Sequence, residues 1–146
     1  MKTFLELLDT EQYICLWLEL LPVLDNGVPD VTVVINGMNH VHQQLDKPLT
    51  LVQALPLLDP VVIEITMAGK KYSPDKETAI IIDRFEIDRF AITPDYAEYA
   101  TYENDQNVDV TTSYLGFNGT WTFDTKVPFY QWMHQATKQG WLLSPK

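Results

Sequence analysis

The side chains able to do chemistry fall into a histidine pair, a set of carboxylates, a run of tyrosines and a lone cysteine. His40 and His42 stand two apart, which on a strand puts both imidazoles on one face. Such pairs bind zinc or copper when acids or a third histidine complete the site. No residue nearby in sequence completes this one, and His134 lies far along the chain. Asp75, Glu77, Asp83 and Asp88 place carboxylates in and after a loop. They are raw material for a Ca2+ site, which needs about six to eight oxygens, although their spacing matches no EF-hand. Solvated acids paired with Lys70, Lys71, Arg84 and Arg89 are the plainer alternative. Tyr96, Tyr99 and Tyr102 recur at intervals of three among Asp95, Glu98, Glu103 and Asp105. Flat rings beside polar groups stack on sugars. Tyrosines also pack on neighbouring subunits or over their own domain, and the spacing leaves all three readings open.

Catalysis finds little support. Glycoside hydrolysis needs two carboxylates facing across a cleft, and twenty acids supply such pairs by chance. There is no G-x-S-x-G elbow, glycine-rich phosphate loop or Cys/His arrangement, and Gly116-Phe117-Asn118-Gly119 is hairpin chemistry. Cys15 sits in the apolar run 13–21 with no basic or histidine neighbour in sequence. It reads as a buried small hydrophobe rather than a reactive thiol.

These residues must be positioned by one domain, 1–146, long enough to bury a core. A single cysteine allows no internal disulfide and suits a reducing compartment. Glu6 and Asp9 interrupt the first apolar segment, which argues against a signal peptide. The longest apolar stretch, 14–24, contains Glu19 and Pro22 and falls short of the roughly 20 residues of a membrane span. A net charge of -10 argues against nucleic-acid binding. Ten acids against three bases lie between Asp75 and Asp109, so one region is markedly acidic. It reads as a solvated surface, a cation site or a place for a basic partner.

Segments 14–21, 31–36, 40–45, 49–53, 61–67, 79–92 and 120–126 carry strand composition, separated by turn chemistry. Asp25-Asn26-Gly27 and Asn36-Gly37 are pairs and triplets that accept positive φ, and predict antiparallel hairpins in the first half. Val61, Ile63, Ile65 and Met67 share one face and predict a core strand. In 79–92 the apolar side changes parity near Arg84, which predicts a bulge or a bend between sheets. The segments 69–78 and 93–112 read as long loops. Pro128 fits the first position of a helix over about 128–139, with Phe129, Trp132, Met133 and Ala136 on one face and Gly140 beyond its end. The pattern predicts a mainly β fold: an antiparallel two-sheet sandwich, jelly-roll or Greek-key, with a C-terminal α-helix and a closed barrel as runner-up.

The succession VVIEITMAGK, a polar loop, IIIDRFEIDRF, then YLGFNGTWTFDTKVPFYQW resembles small β-sandwich structural proteins of tailed bacteriophages. The likeness spans roughly residues 31–132. Those proteins are in turn similar to calcium-dependent xylan-binding carbohydrate-binding modules, with Ile82-Asp83-Arg84-Phe85-Glu86-Ile87 standing in a comparable strand. The resemblance implies a non-enzymatic virion component, in a tail or tail fibre, assembled in the host cytoplasm. Its partners would be other virion proteins, copies of itself and a host-surface glycan, with no nucleic acid and no membrane insertion. The alternative it implies is a carbohydrate-binding module. Tyr96, Tyr99 and Tyr102 would then be the ligand residues, with Ca2+ an optional cofactor on Asp75, Glu77 and Asp83.

Overall fold

The computed structural model describes residues 12–92, 100–106, 108–110 and 113–137. The strands are β1 (Tyr13–Leu24), β2 (Asp30–Ile35), β3 (Met38–Gln44), β4 (Leu49–Pro56), β5 (Pro60–Ala68), β6 (Thr78–Ile87), β7 (Phe90–Ala91), β8 (Ala100–Glu103), β9 (Val108–Val110), β10 (Tyr114–Leu115) and β11 (Gly119–Pro128). Among the described residues there is one helix, α1 (Phe129–Thr137), which follows β11 directly. Two antiparallel sheets form the predicted sandwich: β10-β6-β1-β4 with β7 beside β6, and β3-β2-β5-β11-β8-β9. We call them the first and second sheet. The chain crosses between them after β1, β3, β4, β5, β7, β9 and β10.

Alternation sets which side chains meet between the sheets. Ile14, Leu16, Leu18 and Leu20 of β1 face Val61, Ile63, Ile65 and Met67 of β5, all at most 1% exposed. Phe85, Trp121, Phe123, Phe129 and Trp132 complete the core with edge-to-face and stacked rings. The parity change in β6 is a bulge. Glu19 pairs with Arg84 and Leu20 with Ile82, which leaves Asp83 unpaired. Ile80 and Ile82 point inward before it and Phe85 and Ile87 after it, while Asp83 and Arg84 are both exposed.

Asn36 and Gly37, at φ 49° and 81°, form the predicted two-residue hairpin between Ile35 and Met38. Asp25-Asn26-Gly27 does not make a hairpin: β1 pairs with β4 and β6, and β2 with β3 and β5, so this turn carries the chain between sheets. The stretch 79–92 is two strands rather than one. Asp88 and Arg89, both at positive φ, form a tight turn between β6 and β7. The region read as a loop at 93–112 contains β8 and β9.

At this end of the sandwich α1 is clamped. Phe129, Trp132 and Met133 are buried on the face predicted for them. Phe90 packs on Phe129 and Tyr130, and the Tyr130 hydroxyl donates to the Asp88 carboxylate. Pro128 closes β11 instead of opening the helix, opposite Pro60. Ala136's side chain, Gly140 and the expected helix end at 139 lie outside the described residues. Among the described residues no helix is long and apolar enough to cross a membrane.

Candidate functional site

The opposite end of the sandwich gathers the β1–β2 turn, the β5–β6 loop, the β8–β9 turn and the β10–β11 turn. Asn118, in the last of these, is the hub. Its side-chain oxygen accepts from the Lys70 backbone N–H at 2.9 Å, and its amide nitrogen donates to the Lys70 carbonyl at 3.2 Å. Its carbonyl accepts from Asn104 Nδ2 at 2.8 Å, and its backbone N–H donates to the Tyr72 hydroxyl at 3.1 Å. Asn26 Nδ2 ties in the β1–β2 turn by donating to the Lys71 carbonyl at 2.6 Å. Side-chain amides from three loops thus hold backbone groups of the β5–β6 loop and the β10–β11 turn, which fixes the surface the loops present.

Two tyrosines stand on that surface. Tyr72 is 65% exposed and Tyr114 43% exposed. Tyr114 lies against Gly116, where an added Cβ would meet the ring at 2.8 Å, so the glycine makes room for it. The Tyr114 ring and the Tyr72 hydroxyl therefore meet the same turn, Gly116–Asn118. Burial, and then the Glu77 and Asp25 carboxylates, push the Tyr114 hydroxyl above its ordinary pKa. Lys70 runs beneath this rim. Its side chain is 6% exposed, its ammonium donates to the Glu77 carboxylate and to the Gly116 carbonyl, and it lies 5.2 Å from the Tyr72 ring centre.

This rim was not legible from local pattern, because Tyr72 and Asn118 meet from 46 residues apart. Of the tyrosines expected to bind from sequence, Tyr102 lies beneath this turn rather than on it. Tyr102 is on β8, fully buried, and stacks on Phe117 at 4.2 Å, so its ring has no open face for a ligand. Period-two alternation of Ala100 and Tyr102, both buried, was the available signal. Tyr96 and Tyr99 lie outside the described residues.

The acids proposed for calcium are not brought together. Glu77 holds Lys70, and Asp75 is exposed. Asp83 is the bulge residue of β6, six positions from Glu77, or about 20 Å of extended chain. Among the described residues no three His, Cys, Asp or Glu side chains group as a metal site. These residues do not fit the ion. His40 is the unpaired residue of a bulge in β3, between the pairs Val33–Val41 and Val34–Asn39, and His42 Nδ1 hydrogen-bonds Thr32 Oγ1 at 2.9 Å.

A second polar group lies on the outer face of the first sheet. Arg84 stacks over Trp17 at 4.3 Å and pairs with Glu86 at 2.5 Å and Glu19 at 3.1 Å. Hydrogen bonding to Glu86, and then to Glu19, raises the guanidinium pKa above its ordinary value despite partial desolvation. Trp17 Nε1 donates to Glu19 at 2.5 Å. Each charge here already has its partner, which makes this a cross-strand clasp over β1 and β6. Cys15 is on this same face and exposed, not buried as the apolar run suggested, because Ile14 and Leu16 take the inward positions.

No family model matches the chain, and no curated protein matches it. Among solved structures the fold is similar to vCBM60 in complex with galactobiose, at 15% identity and a TM-score of 0.50, over 75% of this chain and 96% of that one. A selenomethionine form of vCBM60, described with a circular permutation linking two families of calcium-dependent carbohydrate binding modules, aligns at 12% identity and a TM-score of 0.49, over 75% and 89%. The first likeness shows that the two-sheet sandwich of this chain is similar in fold to that of vCBM60. Neither structure is described as a virion component.

Proposed function

We propose that the chain is a non-catalytic glycan-binding module whose binding surface is the loop end built on Asn118. The observation that carries this is the pair of exposed tyrosines, Tyr72 and Tyr114, that meet one turn, the first by its hydroxyl and the second by its ring, among hydrogen-bonding groups. Sugars are recognised by such a combination: an aromatic face takes the apolar side of the ring, and fixed amides and carboxylates take the hydroxyls. Asn26, Asn104, Glu77 and Asp25 supply those groups here. Similarity to the fold of vCBM60 supports the reading and suggests galactobiose as a first probe.

The experiment is retention on a panel of immobilised polysaccharides, with galactobiose as competitor, for the unaltered protein and for Tyr72→Ala and Tyr114→Ala. Loss of one stacked ring is expected to weaken binding about tenfold, which corresponds to roughly 1.4 kcal/mol, with the melting temperature held. Equal retention by both variants would remove the rim from the account. Tyr96→Ala and Tyr99→Ala belong in the same series, since the sequence nominates them as well. Placement of the module in a phage tail or fibre rests on the sequence resemblance, and mass spectrometry of purified particles tests it by stoichiometric presence or absence.

A further inference from the structure

We infer that the ammonium of Lys70 is a built-in cation that fastens the loop end, so that this rim keeps its shape without calcium. Three observations lead there. At the junction of the β5–β6 loop and the β10–β11 turn, Lys70 Nζ donates to two oxygens of the kind that suit a cation, the Glu77 carboxylate and the Gly116 carbonyl. The Lys70 side chain is more than nine-tenths buried, so its charge is committed to that place rather than to solvent. A buried ammonium is held only when paired and hydrogen-bonded. Finally, the backbone of the same residue is clasped from both sides by Asn118, so the side chain is aimed by a fixed main chain.

One charge thereby does what a divalent ion would do in a calcium-fastened loop: it draws a carboxylate and a carbonyl from distant segments, 7 and 46 residues away, onto one centre. Asp83, which would have to join Glu77 for the calcium site expected from sequence, is about 20 Å of extended chain away. Lys70 is a positioning residue in this account. It holds Gly116, on which the Tyr114 ring is seated, and lies beside the Tyr72 ring. The inference concerns how the rim is fastened and holds whether or not the rim binds sugar.

The test is thermal unfolding of the whole chain in excess Ca2+ and in EDTA, with amide hydrogen exchange at the rim. The unaltered protein is expected to melt within about 1 °C in the two conditions, because an ion that does not bind the fold cannot shift its stability. Lys70→Met is expected to melt about 4 °C lower or more, with faster exchange at the Lys70 and Asn118 amides than in the core strands. Should that variant fail to fold, Glu77→Gln, at a 43% exposed side chain, gives the same local increase in exchange with a smaller shift. Stabilisation of the unaltered protein by Ca2+ over EDTA by several degrees would overturn the inference. So would unchanged exchange at the Lys70 and Asn118 amides in both variants. Glycan retention plays no part in these readouts, so failure of the sugar reading would leave them intact.

Discussion

Trp121 and Phe123 lie on the same face of β11, stacked at 6.1 Å with ring planes 10° apart, and both edge onto Phe85. Size alone predicts that the indole is the costlier loss. The structure predicts otherwise. Truncating a buried Trp or Phe to Ala costs about 3–5 kcal/mol through lost contacts and a residual cavity. Trp121, however, is 2% exposed and its Nε1–H finds no hydrogen-bond partner among the described residues. An unpaired buried donor costs about 1–3 kcal/mol, and Trp121→Ala removes that penalty along with the ring. The net cost for Trp121→Ala is then centred on about 2 kcal/mol. Phe123, fully buried and in ring contact with Phe85, Trp121 and Trp132, has no such offset and should cost about 3–5 kcal/mol. Trp121→Phe, which keeps a ring and drops the donor, should cost about 1 kcal/mol or less. Urea unfolding followed by far-ultraviolet circular dichroism, with equal m-values across the series, measures all three. A Trp121→Phe loss above about 3 kcal/mol would refute the reasoning, because it would mean that the indole N–H is doing stabilising work.

Two further perturbations test the packing. Tyr130 is held above its ordinary value of 10.0 to about 12, first by burial and then by Asp88. Its hydroxyl stays protonated in the fold while the unfolded chain loses that proton from about pH 10. Stability therefore falls between about pH 10 and 12, by on the order of 1–2 kcal/mol after discounting for partial exposure. Urea midpoints across that range should show a shallower decline in Tyr130→Phe than in the unaltered chain, and identical slopes would contradict the Asp88 contact. At Gly119 an added Cβ would stand 2.6 Å from the Glu103 carbonyl oxygen, which belongs to the backbone of β8 and cannot swing away. Gly119→Ala should cost about 1–3 kcal/mol by forcing β8 and β11 apart, and a calorimetric melt matching the unaltered protein would show that the strands give without penalty.

Where local pattern and tertiary demand coincide, the sequence was readable. Val61, Ile63, Ile65 and Met67 alternate because both neighbours of β5 and the facing sheet bury the same side, and all four are core. The parity change around Arg84 survived into the bulge at Asp83 because a bulge is the one local way to keep both halves of a strand facing inward. Asn36-Gly37 carries its turn in its residue types. Asp88-Arg89 makes a similar turn without glycine, so the β6–β7 break left no mark. Turn chemistry at Asp25–Gly27 specified a reversal but not which sheet the next strand would join, a choice made by contacts far away in sequence. Cys15 is exposed although its run is apolar, because Ile14 and Leu16 take the inward parity and leave it the outward one. The acidic stretch around Tyr102 looked like loop because charge masked two short strands. The rim of Tyr72, Tyr114 and Asn118 is assembled only by folding, from segments whose spacing carries no common period.

The glycan reading is tested most directly by titrating the isotopically labelled protein with galactobiose and with xylo-oligosaccharides while following backbone amide resonances. The account predicts saturable shifts concentrated at Tyr72, Tyr114 and Gly116–Asn118, retained in EDTA and lost in the Tyr72→Ala/Tyr114→Ala double variant. Shifts centred on the Trp17–Arg84 face of the first sheet, or none at any sugar concentration with either probe, would contradict it.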